Sequence, residues 1–175
     1  MPRPTSPTRP RLARAGAPLV AALLALGLTA CSDADIDDAA QQAKDAASEA
    51  RTAIDGLKAT VDDAKAEAEA AEQKIADAKT QLQSLDASAK AQADAAVTHA
   101  QTAVDDAKAA LEKAQADGAA ASEQALADAR GELDSARAEL DTAKADAAGS
   151  TADSLDQLAQ QLTTLGDKLE SAAGS

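Results

Sequence analysis

The chain of 175 residues contains no Phe, Tyr or Trp, one His, one Cys and one Met, and its five prolines all lie within the first 18 positions. Each scarcity narrows the reading. Without aromatic platforms, and with 17 Lys+Arg against 30 Asp+Glu for a net charge of −13, the chain offers neither the stacking surfaces nor the basic patch that nucleic acid requires. The lone cysteine leaves no intrachain disulfide. His99 has no cysteine or second histidine with which to complete a zinc shell, it falls off the apolar stripe marked by Val97 and Ala100, and it reads as a solvent-exposed side chain. Asp33, Asp35, Asp37 and Asp38 cluster but lack the glycine and terminal glutamate of a calcium loop. No metal site is expected. Serines such as Ser122 have no histidine at a meaningful spacing, and no glycine-rich phosphate loop is present. The chain therefore reads as a non-enzyme without a small-molecule substrate. Hydrophobic residues make up 45 % of it, but most are alanine. A buried methyl contributes about 0.8 kcal/mol against about 1–2 kcal/mol for ordering a residue, so a compact enzyme core is not expected.

The proline-rich start carries Arg3, Arg9, Arg11 and Arg14 and no acid. Residues 15–30 then read AGAPLVAALLALGLTA, uncharged and apolar, and end at Cys31-Ser32-Asp33. This order of basic region, apolar region and small-residue exit marks residues 1–30 as a signal peptide. Leu28-Thr29-Ala30-Cys31 resembles the lipobox that bacterial lipoprotein signal peptidase cleaves just before the cysteine. The resemblance implies that Cys31 becomes the first mature residue and carries a diacylglycerol and an N-acyl lipid. No other cofactor is expected.

Without residues 1–30, which hold four arginines and no acid, 13 basic residues face 30 acidic ones, a net −17. This remainder has no proline and is built of helix-favouring residues. Its periodicity is helical as well. Ile36, Ala40, Ala43, Ala47, Ala50, Ile54, Leu57, Val61, Ala64, Ala68, Ala71, Ile75, Ala78, Leu82 and Leu85 alternate four and three apart, the spacing of a left-handed coiled-coil seam facing a partner. Three further frames follow after single-residue skips: Ala93, Val97, Ala100, Val104, Ala107, Leu111, Ala114; then Leu126, Ala129, Leu133, Ala136, Leu140, Ala143, Ala147; then Leu155, Leu158, Leu162, Leu165, Leu169. A skip turns the seam by about 100°. Skips therefore mark turns between antiparallel helices or unwinding of one rod.

The expected fold class is all-α: an elongated alanine-rich coiled coil or an antiparallel helical hairpin or bundle. Its expected parts are a lipidated acidic tether at residues 31–38, an alanine-zipper region at 39–148 with turns or phase skips near 84–90, 118 and 149, and a leucine-rich helix at 151–173. Ser154 with Gln157 resembles a capping box for that last helix. Leucine at every inner position of the last frame marks Leu155, Leu158, Leu162, Leu165 and Leu169 as the expected self-association surface. The pentapeptide VDDAK occurs at residues 61–65 and 104–108, and the heptad ELDSARA is followed by ELDTAKA from Glu132 to Ala145. In these units Asp62 and Lys65, Asp105 and Lys108, and Asp141 and Lys144 are spaced to support an exposed helix face.

A lipobox, a Cys-Ser start and an aromatic-free heptad body resemble the murein lipoprotein and its alanine-rich outer-membrane relatives. The resemblance implies a lipid-anchored protein of the bacterial envelope, held in the outer membrane by Cys31 and facing the periplasm, with itself or an envelope protein as partner. The chain is longer than that class and ends Ala172-Ala173-Gly174-Ser175 without its C-terminal lysine, so covalent linkage to peptidoglycan is not carried across. Two other readings share the composition. One is a stress protectant similar to late-embryogenesis-abundant proteins, favoured by high charge and low apolar bulk. The other is an apolipoprotein-like binder of apolar molecules, which needs a wider apolar face than these stripes supply.

Overall fold

The computed structural model describes residues 33–174, with side chains from residue 37 onward. Leu28, Thr29, Ala30 and Cys31, and the whole of the signal region, lie outside the described residues. The chain divides into two units, Met1–Ala43 and Lys44–Ser175. Four α-helices follow in order: α1 (Asp33–Gln81), α2 (Ala87–Asp117), α3 (Ala119–Ala145) and α4 (Ser150–Ala173), with a 3-10 turn at Leu82–Ser84 between the first two. Among the described residues there is no strand. The fold is all-α.

In the first unit the described part is helix, and its side chains from Asp37 to Ala43 are exposed. Within the stretch expected as an acidic tether, residues 31–38, the backbone is helical from Asp33 onward. The run has no glycine or proline to break the helix.

The second unit is an antiparallel four-helix bundle in which chain neighbours are also spatial neighbours and α4 closes on α1. Side-chain contacts fix this arrangement. Lys65 reaches Gln115 and Lys108 reaches Glu72, so α1 and α2 run in opposite directions. His99 touches Glu132 and Glu139 across α2 and α3. Arg130 pairs with Glu170 at 3.0 Å, and Lys144 pairs with Asp156, joining α3 to α4. Lys74 donates to Gln157 at 2.9 Å, and Ser150 donates to Gln81 at 3.1 Å, which brings α4 back beside α1.

One core runs through this unit. It takes Val61, Ala64, Ala68, Ala71, Ile75, Ala78 and Leu82 from α1 and the turn after it. From α2 it takes all seven residues of the second frame together with Ala96, Ala103 and Ala110. The alanines of α1 and α2 leave room that the leucines of α3 and α4 fill, so large side chains meet small ones and the interior closes without aromatics.

The three joints each have a local cause. Leu85 is extended, with ψ 155°, and the Asp86 carboxylate accepts from the backbone N–H groups of Ser88 and Ala89, both at 3.1 Å. This N-cap starts α2 without any glycine. Gly118 sits between α2 and α3 at φ 87° and ψ 162°, a conformation that side chains with a Cβ rarely adopt. Gly149, at φ 58°, plays the same part before α4. Because Gly149 makes that turn, α4 begins at Ser150 and Ser154 is inside the helix, which corrects the capping box at Ser154 and Gln157. Ser150 and Thr151 direct their hydroxyls to Gln81 of α1 instead.

Candidate functional site

α1 is longer than its partners, with 49 residues against 31, 27 and 24 for α2, α3 and α4. Its inner stripe is buried only from Val61 onward. Within the second unit, Ala47, Ala50 and Ile54 carry the same heptad positions on a stretch that no other helix covers, and Leu57 is half-buried. Ile54 is 64 % exposed, the one large hydrophobic side chain so exposed among the described residues. The bundle thus covers the heptad seam from Val61 onward and leaves its earlier described positions exposed. Residues 44–56 form an uncovered helix face of roughly 20 Å at 1.5 Å per residue. Lys44, Arg51 and Lys58 recur every seventh residue on this stretch. Where it meets the bundle, Ile54, Leu57 and Lys58 border a groove of about 520 Å³ whose opposite wall is Ala114 to Gly118.

The leucines singled out for association lie elsewhere. Leu155, Leu158, Leu162, Leu165 and Leu169 are each 0–1 % exposed and belong to the bundle's own core. They face the other three helices of the same chain, so they are not a free surface for a second copy. Thr151, Ala159, Gly166 and Ala172 are buried beside them. The turn at Gly149 folds α4 back, so that this leucine row packs inside the same chain.

Cross-helix ion pairs form a belt around the core. Lys108 Nζ lies 2.7 Å from Glu72 Oε1, and the lysine is held above its ordinary value because that carboxylate accepts its proton's hydrogen bond. Lys144 is raised for the same reason by Asp156, whose own carboxyl is lowered in return. Lys65, Lys108 and Lys144 therefore engage neighbouring helices, where the sequence suggested pairs along one helix. The two VDDAK segments place their lysines at equivalent points of α1 and α2, each beside a buried alanine, and each reaches across the α1–α2 pair.

His99 departs most from its sequence reading. Its side chain is 27 % exposed and bridges two helices: Nδ1 lies 3.0 Å from Glu139 Oε2 and Nε2 lies 3.4 Å from Glu132 Oε2. Hydrogen bonding to Glu139 raises its pKa above 6.5, partial burial opposes this, and Glu132 adds to the rise. The two glutamates lie one heptad apart on α3, a spacing visible in the tandem ELDSARA and ELDTAKA units. Their meeting with His99 required the turn at Gly118.

Among the described residues no group of three or more His, Cys, Asp or Glu side chains could hold a metal ion. No described helix is long and apolar enough to cross a membrane. No protein-family model matches the chain, and neither a curated protein nor a solved structure matches it.

Proposed function

We propose that this chain is a lipid-anchored lipoprotein of the bacterial envelope, acting as a structural and interaction element at the periplasmic face of the outer membrane. The observation that carries this reading is the order of segments along the chain. A basic start and an apolar run end in Leu28-Thr29-Ala30, the only cysteine follows, and α1 begins two residues later at Asp33. A lipid on Cys31 would hold the start of α1 at the membrane surface. The bundle is closed by its own leucines, so the uncovered face at residues 44–56 is the part that remains to meet an envelope partner. A core of this kind has no use in a protectant that stays solvated.

Metabolic labelling with palmitate in a Gram-negative host, combined with membrane fractionation, tests the anchor. The full chain is expected to take up label and sediment with the outer membrane, and Cys31→Ala to lose both. Label that survives Cys31→Ala, or an unlabelled and unanchored parent, contradicts the reading.

A further inference from the structure

The contacts of His99 demand more protons than a neutral imidazole holds. Carboxylate oxygens lie against both ring nitrogens, Glu139 on Nδ1 at 3.0 Å and Glu132 on Nε2 at 3.4 Å. An ionised carboxylate only accepts, so both nitrogens must donate, and only the imidazolium carries two N–H groups. In the neutral ring one nitrogen presents a lone pair to a carboxylate. That contact becomes repulsive.

The grooves beside the two glutamates hold one cation between them. On the Glu132 side the groove between α2 and α3 is bordered by Asp106 and Asp128, with Lys113 as its one cation. On the Glu139 side the walls are Gln92, Ala95, Ala96, Ala138 and Thr142, which carry no charge. Among the described residues no group of α1 or α4 is hydrogen-bonded or ion-paired to the ring. His99 is also the only histidine in the chain, so any response between about pH 6 and pH 8 from an ordinary side chain rests on it.

We propose that His99 is an acid-strengthened clasp between α2 and α3: its protonated ring binds Glu132 and Glu139 together, and deprotonation frees one of them and loosens the outer edge of that helix pair. The sign follows from linkage. A histidine whose native pKa is raised above 6.5 stabilises the fold fully below its unfolded value, and the contribution is lost as pH rises through the native value. The α2–α3 pair is therefore held more tightly in mildly acidic surroundings than at neutral or alkaline pH. Alanine lines the grooves on either side of the ring, so no bulky side chain substitutes for the clasp once it opens.

A titration of the full chain by proton NMR tests this directly, because with a single histidine the imidazole Hε1 signal needs no assignment among several rings. The expected midpoint is above 6.5, and Glu139→Gln and Glu132→Gln are each expected to lower it. Thermal melting of the full chain between about pH 5.5 and pH 9 supplies the second readout. The parent is expected to lose a few degrees across this interval, whereas His99→Gln, which keeps one donor and cannot titrate, is expected to lose less. A midpoint at or below 6.5 in the unsubstituted protein overturns the proposal, as does an equal loss in His99→Gln.

Discussion

Leu162 and Ser122 are both essentially sealed from solvent, at 1 % and 0 % exposure, but they contribute in opposite senses. Leu162 fills space left by alanines, and the helices around it cannot move together without disturbing the rest of the row. Leu162→Ala is expected to cost about 2–4 kcal/mol through lost transfer energy and a residual cavity. The Ser122 hydroxyl has no hydrogen-bond partner, so removing it relieves an unsatisfied polar group. Ser122→Ala is expected to be neutral or to stabilise by up to about 1 kcal/mol. Urea unfolding of both variants checks the pair, and a large loss in Ser122→Ala would show that its oxygen is satisfied in the folded protein. The ion pairs belong to a different class. Lys144 and Asp156, with side chains each 39 % exposed, sit at the surface, where solvent and salt reduce such pairs to little net stability.

At the scale of the helices, α1 shows which information the sequence held. The inner positions from Val61 to Leu82 and all of the second frame are buried as the heptads require, because a two-in-seven stripe can be covered only from one side. The same repeat also runs through Ala47, Ala50 and Ile54, which nothing covers. Periodicity identifies a face able to pack but not where its cover ends. That point is set by the lengths of α2 and α4, and so by Gly118 and by the end of α4 at Ala173. The break before α2 was harder to read because an aspartate cap replaces the usual glycine. The His99 clasp was not legible, since its partners come from another helix and no spacing within α2 announces them. If residues 44–56 are an uncovered face, Ile54→Asp should change the unfolding free energy by no more than about 0.5 kcal/mol. A loss comparable to that of Leu162→Ala, measured by the same urea unfolding, would place Ile54 inside a core.

For the second unit as a whole, the account rests on leucines that close the bundle within one chain. The alternative is a zipper in which Leu155 to Leu169 of two molecules pack together, and the two differ in their response to concentration. Association makes stability depend on protein concentration by mass action, whereas an intramolecular core does not. The most direct measurement is far-UV circular dichroism through a thermal melt at two concentrations about a hundredfold apart. The account predicts a strongly helical spectrum and the same midpoint at both concentrations; a midpoint that rises with concentration, or a spectrum of coil, would contradict it.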